Sequence, residues 1–141
     1  MSGANDGFCR YATPQSVAAP IGRFSHLAIT GPDASLVFVS GQIGMRPGGA
    51  IAGGMFDQTI QTFANIETLL AEIGASPRQI VKMTTYLVGP DEFAQFAAAR
   101  AEVYQRWFPD GLYPAHTAAT VAALAAPDLM VEIDAIVAVS K

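Results

Sequence analysis

The segment formed by residues 129–139 constrains the fold more than any other part of the chain. Its apolar residues alternate, and those that share one face are Leu129, Val131, Ile133, Ala135, Val137 and Val139. Successive side chains of a strand point to opposite sides, so this pattern predicts a strand with one buried face. Glu132 and Asp134 fall on the other face. Because a buried, unpaired charge is costly, that second face must offer them water or polar partners.

Two amphipathic helices can cover the apolar face. Apolar side chains recur every three or four residues from Phe56 to Ile73, and Gly74 follows as a stop. A second apolar stripe runs from Phe93 to Phe108 and ends at Pro109. Arg100 lies on this second stripe, where we expect its aliphatic stem to cover apolar surface.

Four further segments, rich in β-branched or alternating residues, predict strands. They are residues 24–30, 36–43, 80–88 and 115–123. Turn residues separate the first two segments, which together predict a hairpin. The predicted order is β-β-α-β-α-β-β. It indicates an α/β (α+β) two-layer sandwich, in which both helices cover one face of a mixed sheet.

Length and composition favour one domain. The chain has 141 residues, of which 51% are hydrophobic and 14% are charged, against about 25% charged in ordinary soluble domains. We expect an N-terminal arm over residues 1–20 and a single domain over 21–141. The composition excludes a disordered chain, and no apolar run is long enough to cross a bilayer. The apolar surplus reflects either many alanines or a surface that is buried against other copies of the chain.

Charge and rare residues exclude several classes of function. The net charge is −4 and the basic residues are scattered, so we expect no nucleic-acid partner. The single cysteine, Cys9, lies in the predicted flexible arm and excludes an internal disulfide. With no signal-peptide pattern at the N-terminus, it indicates a reducing cytoplasm. The two histidines have no cysteine or acid at ligand spacing, so we expect no metal.

Five short segments carry a pattern that occurs together in a known family. They are Val39–Ile43, Asp57–Ile66, Ile80–Tyr86, Tyr113–Thr117 and Val131–Ala135. In order and spacing, from about residue 20 to the end, the chain resembles the RidA/YjgF family of reactive-intermediate deaminases. The resemblance implies a chorismate-mutase-like fold and a homotrimer, with helix-free sheet faces packed as a central barrel and ligand clefts between subunits. It also implies hydrolysis of small enamines or imines to keto acid and ammonia, without a cofactor.

The resemblance also points to a substrate anchor. In the family pattern an arginine follows a Pro-Ala pair and holds the substrate carboxylate, because its planar fork gives two parallel hydrogen bonds. Here His116 stands at that position, and a neutral histidine offers a single donor. His116 either binds an anion in a pH-sensitive way or is a structural histidine held by the backbone or a neighbouring subunit. Arg23 is the nearest candidate for a substitute cation.

Other site residues follow from the same pattern. Glu132 matches the glutamate that positions or activates water; its alternative role is that of a solvated or interface-paired carboxylate. Asp134 is expected to be structural. The remaining cleft positions are Phe24, where the family often has tyrosine, Ala97, where it has asparagine, and Ser40, Gly41 and Gln42.

Two functions fit these residues. The first is a hydrolase that deaminates a small reactive enamine or imine, with Glu132 and His116 as the chief site residues. The alternative is a non-catalytic trimer that binds a small metabolite, because the arginine, the tyrosine hydroxyl and the asparagine are all replaced. Both take the chain itself and a small molecule as partners, and neither involves a membrane.

Overall fold

The structure is a computed structural model that describes residues 2–5 and 9–140. Its elements, in chain order, are β1 (Ser2–Asn5), β2 (Cys9–Ala12), β3 (Leu27–Thr30), β4 (Ala34–Ile43), α1 (Gly54–Glu72), β5 (Ile80–Val88), α2 (Phe93–Trp107), β6 (Ala115–Val121) and β7 (Val131–Ser140). A short 3₁₀ turn, Pro77–Gln79, leads into β5. Neither α1 nor α2, the helices in the described residues, has an apolar run that would carry it across a bilayer.

The main sheet has four strands in the order β4-β7-β5-β6. β7 runs antiparallel to both β4 and β5, whereas β6 runs parallel to β5. Both helices pack on one face, where Val131, Ile133 and Val137 of β7 are fully buried. The predicted two-layer α+β sandwich is confirmed, and so is the buried face read from the alternation in β7.

The predicted hairpin between residues 24–30 and 36–43 is wrong. β3 pairs with β2 in a separate three-stranded sheet, whereas β4 pairs with β7. The turn residues after β3 do not fold the chain back on itself, because β4 continues into the main sheet and pairs there with β7 over ten residues. The turn at residues 31–33 therefore joins two sheets.

The prediction that Cys9 lies in a flexible tail is also wrong. Cys9 and Tyr11 are both buried in β2, where they pack against Ala138 of β7. The Tyr11 hydroxyl donates to the backbone carbonyl of Ile80. Burial raises the pKa of the Cys9 thiol, so this thiol is a packing group. The boundary expected at residue 20 stays a prediction.

The N-terminal sheet covers one end of the helix-free face of the main sheet. Ala138 follows Glu132, Asp134 and Ile136 on that face by the period of two. Towards the other end, Phe38 of β4 is 71% exposed. The helix-free face is thus covered over Ala138 of β7 and open along β4, at Leu36 and Phe38.

Candidate functional site

Gly41 and Glu132 lie against each other on the open part of the helix-free face. The pairing of β4 with β7 shifts between Val39 and Gln42, so Ser40 and Gly41 form a bulge. A Cβ at Gly41 would overlap the carboxylate of Glu132. The absence of a side chain at residue 41 therefore makes room for the carboxylate. Within the part of the chain that the structure describes, that carboxylate has no hydrogen bond or ion pair.

The bulge borders a surface depression of about 360 Å³. It is lined by Phe38, Val39, Ser40, Gly41, Asp134, Ala135 and Ile136. The side chain of Gln42 donates to the Ser40 carbonyl at 3.1 Å and braces the bulge. Three predicted cleft residues, 40, 41 and 42, therefore lie together and beside Glu132.

Helix α1 holds this arrangement in place through a buried glutamine. Gln58 donates from Nε2 to the carbonyl of Asp128 at 2.8 Å, and its Oε1 accepts from the Met130 N–H at 2.8 Å. Both contacts fix the loop that leads into β7, two residues before Glu132. The sequence pattern did not identify Gln58, because a single polar residue among apolar helix positions has no recognisable partner before folding.

A second clamp from α1 holds the end of β4. Asn65 donates from Nδ2 to the carbonyls of Ile43 at 3.0 Å and Met45 at 2.9 Å. Its Oδ1 accepts from Gln61 at 2.9 Å. The polar residues of the helix segment 57–66 thus fasten the two strands that carry the bulge and the glutamate.

His116 lies on the opposite, helix-covered side of the sheet. It pairs in register with Met83 of β5, which is fully buried. Its Nε2 lies 2.8 Å from the Thr85 hydroxyl, and its Nδ1 lies 3.4 Å from the Tyr104 hydroxyl. Burial, then the positive charges of Arg100 and Lys82, lower the pKa of His116 to about 4. The ring is therefore neutral at pH 7, with a partner at each nitrogen.

Arg100 is buried beside this histidine. Only 9% of the residue is exposed, and its guanidinium carbon lies 5.2 Å from the ring centroid of Phe96, 5.8 Å from that of Tyr104 and 6.0 Å from that of Phe93. The sequence predicted that the stem of Arg100 covers apolar surface; in the structure the head group packs against these rings as well. The sequence placed Arg100 on the apolar stripe of α2 but did not specify where its guanidinium lies.

A loop carrying Arg23 is fixed next to the start of β6. The hydroxyl of Ser25 donates to the Tyr113 carbonyl at 2.6 Å, and its N–H donates to the Pro114 carbonyl at 3.2 Å. Burial lowers the pKa of Arg100, and the charge of Arg23 adds to that lowering. The basic residues are scattered along the sequence, but the fold brings Arg23 and Arg100 close enough for their like charges to interact.

Two other predicted cleft residues lie near these cations in the chain. Phe24 directly follows Arg23, is half-buried, and meets the ring of His26 edge-on at 5.9 Å. Ala97 precedes Arg100 by three residues and so shares its side of α2. Phe24 is thus adjacent to Arg23 in the chain, and Ala97 lies on the side of α2 that carries Arg100.

The two groups of site residues do not meet within one chain. Glu132 is level with Tyr86 of β5, and His116 is level with Met83. At about 3.3 Å per residue and about 4.8 Å per strand, the Cα atoms of Glu132 and His116 are about 14 Å apart. Their side chains also point to opposite faces. A three-carbon imino acid cannot contact both residues of the same chain.

No group of three His, Cys, Asp or Glu side chains that could hold a metal ion occurs among residues 2–5 and 9–140. The titratable groups of both clusters are a carboxylate, a histidine and arginines. Their chemistry is that of hydrogen bonding, charge and proton transfer.

The sheet order and the helix placement define a two-layer α+β protein. The contact of Gly41 with Glu132 beside the depression defines a candidate small-molecule site. The endoribonuclease L-PSP family model matches residues 15–139. The chain therefore belongs to this family, the RidA/YjgF family, and the resemblance seen in the sequence is confirmed.

Individual relatives agree with this membership. The chain is 35% identical over 119 residues to a RutC family protein of Pyrococcus abyssi, covering 83% of this chain and 87% of the relative. It is 31% identical over 117 residues to the 2-iminobutanoate/2-iminopropanoate deaminase of Capra hircus, covering 82% and 80%. Among solved structures, a Rid family protein of unknown function from Yersinia pestis matches with a TM-score of 0.79 and 28% identity, covering 93% and 98%.

Proposed function

We propose that the protein hydrolyses a small reactive imine or enamine to a carbonyl compound and ammonia. The observation that carries the proposal is the Glu132 carboxylate, which lies against Gly41 and has no partner among the described residues. Gly41 in turn lines an open depression. Membership of the family and similarity to a protein named 2-iminobutanoate/2-iminopropanoate deaminase support the class of reaction.

The chemistry requires one group that moves protons. Water adds to the imine carbon and loses a proton, and the nitrogen gains protons before it leaves as ammonia. A carboxylate beside the imine carbon can take the proton as the C–O bond forms and return it as the C–N bond breaks. Glu132 is suited to both steps, and an enamine enters the same path after protonation at carbon.

We further propose that the site is completed by a second copy of the chain, in a homotrimer. Glu132 and His116 lie on opposite faces, so a cleft that contains both types of residue needs two chains. The open helix-free face supports this assembly, because Phe38 and Leu36 are 71% and 47% exposed there. Adjacent exposed apolar side chains of this kind mark association surfaces.

The alternative function is that of a non-catalytic protein that binds a small metabolite. One observation favours it: His116 is neutral and has a partner at each ring nitrogen, so it is not a substitute for the arginine fork of the family. Under this alternative the cleft binds ligand, and Glu132 has no role in turnover.

The test is turnover of an imine generated in situ by oxidation of an α-amino acid, with ammonia and keto acid measured. We expect the wild-type chain to speed the release and Glu132→Gln to lower the rate by about 10²–10⁴-fold. Glu102→Gln, at an exposed position on α2, is the matched control and should remain active. Undiminished turnover in Glu132→Gln contradicts the role of Glu132. Ligand binding without turnover by the wild-type chain supports the alternative.

A further inference from the structure

Arg100 is a buried charge without an acidic partner. Its Nε is fully buried and has no hydrogen-bond partner, and it is the single such side-chain atom in the described part of the chain. The ion pairs found among these residues use Arg78 and Arg106, with Asp110 and Glu67. A buried polar group that is left without a hydrogen bond destabilises the fold, so its retention calls for an explanation.

The surroundings of Arg100 hold its guanidinium in one place. Three aromatic rings, those of Phe93, Phe96 and Tyr104, lie within 6.0 Å of the guanidinium carbon. Stacking on aromatic faces offsets part of the cost of burying the charge and fixes the plane of the group. A guanidinium fixed in this way is prepared to bind a planar anion through two parallel hydrogen bonds.

Arg100 lies close to the position on β6 where the family pattern has an arginine and this chain has His116. Arg100 stacks on Tyr104, and the Tyr104 hydroxyl contacts the ring of His116, the residue at the family's arginine position. Ala97, three residues earlier on α2, has a short side chain and lies on the same side of the helix. The guanidinium therefore approaches the neighbourhood of His116 from the helix instead of from the strand.

The electrostatic surroundings favour an anion. Arg23 and Arg100 interact as like charges, and Lys82 adds a third positive charge that acts on His116. No acidic residue among those described contributes to the pKa shifts of Arg100, His116 or Tyr104. A small carboxylate would bring the negative charge that this cluster lacks.

We propose that Arg100 binds the carboxylate of the substrate or ligand, taking over from α2 the role that the family pattern gives to an arginine on β6. His116 is then a positioning residue, which holds Tyr104 under the guanidinium by its contact with the hydroxyl. This inference rests on the proposed function in one respect, namely that the imine carries a carboxylate.

The test is binding of pyruvate, the keto acid expected from a three-carbon imino acid, to the full chain by calorimetry. Pyruvamide is the neutral comparison. We expect Arg100→Met, which keeps an apolar side chain among the rings, to weaken pyruvate binding by at least about tenfold. The affinity of Arg100→Lys for pyruvate should lie between those of the wild type and Arg100→Met. Pyruvamide should bind weakly to every variant. Arg46→Met, at an exposed arginine in the loop after β4, is the matched control and should bind as the wild type.

Several outcomes would overturn the assignment. One is a wild-type chain that does not bind pyruvate at about 10 mM, the upper limit for a weak site. Another is a set of Arg100 variants that bind pyruvate as tightly as the wild type does. If Arg100 instead pairs with an acid of a neighbouring copy, both variants would dissociate the assembly in sedimentation, which also overturns it. Should Arg100→Met fail to fold, Arg100→Lys decides. Imine turnover by a wild-type chain that does not bind pyruvate would leave the proposed function intact and reject only the anchor.

Discussion

The carboxylate of Glu132 occupies the space that a side chain at Gly41 would fill. This contact joins β4 and β7 at a bulge on the helix-free face. Strand pairing, bulge and glutamate are thus parts of one arrangement, in which the missing side chain at residue 41 sets where the carboxylate lies.

Gly41→Ala should displace Glu132. The added Cβ overlaps the carboxylate, which must rotate away because it is the flexible end of a half-exposed side chain. We therefore expect a loss of about 1 kcal/mol or less in the free energy of unfolding and a fall in imine turnover. Urea denaturation and the ammonia assay measure the two effects. Gly48→Ala is the matched control, since nothing lies within 4 Å of a Cβ there. Equal stability and activity in the two variants would show that the contact is unimportant.

Gln58→Leu should loosen the loop that leads into β7. The change removes the hydrogen bonds to Asp128 and Met130 and leaves a backbone N–H and a carbonyl without their partner, at a cost of about 1–3 kcal/mol. Turnover should fall as well, because Glu132 follows closely. Gln105→Leu, at an exposed position on α2, is the control in thermal and urea unfolding. A Gln58 variant as stable as this control would contradict the clamp.

Stability should depend on pH through His116. Its folded-state pKa of about 4 lies below the ordinary histidine pKa of 6.5, so the unfolded chain binds the proton more tightly. The contribution is complete above pH 6.5 and is lost as pH falls towards 4, with a slope of about 1.4 kcal/mol per pH unit at most. His116→Gln should remove this slope in urea unfolding from pH 4.5 to 7.5. A ring signal of His116 that titrates near the ordinary histidine pKa of 6.5 in NMR spectra would disprove the assignment.

His116→Arg separates the two candidate anchors. If residue 116 holds the substrate carboxylate, restoring the family's arginine should tighten pyruvate binding. If Arg100 is the anchor, a second guanidinium beside it is repelled and desolvated, so binding should weaken and stability should fall. Calorimetry with pyruvate and urea unfolding of the variant decide between these results, and tighter binding at unchanged stability would reject Arg100.

The sequence predicted those parts of the fold that a periodic pattern encodes. The alternation along β7 and the apolar stripes of α1 and α2 correctly identified the buried sheet face and its cover. Cys9 and Tyr11 were missed because two buried positions are too few to form a period, and their partner Ala138 lies far along the chain. The hairpin failed because turn residues at 31–33 also serve to connect two sheets.

The candidate site, like the fold, could be predicted from the sequence only in part. The family resemblance named Ser40, Gly41 and Glu132 as site positions, and the pairing of β4 with β7 brings these three residues together. The burial of the Arg100 head group could not be predicted, since it depends on three rings of one helix closing around a charge. Its nearness to His116 depends on how α2 packs over β6, and side-chain periodicity does not specify that distance.

Complementation between two inactive variants tests the central claim most directly. If each site joins Glu132 of one copy to Arg100 of another, mixed assemblies of Glu132→Gln and Arg100→Met chains contain sites with both native residues. A random equal mixture of trimers should then recover about a quarter of wild-type turnover. The mixture should be made by unfolding and refolding together, with subunit exchange checked by mass spectrometry. Recovered activity is the predicted result, and exchanged assemblies that stay inactive would contradict a site built from two chains.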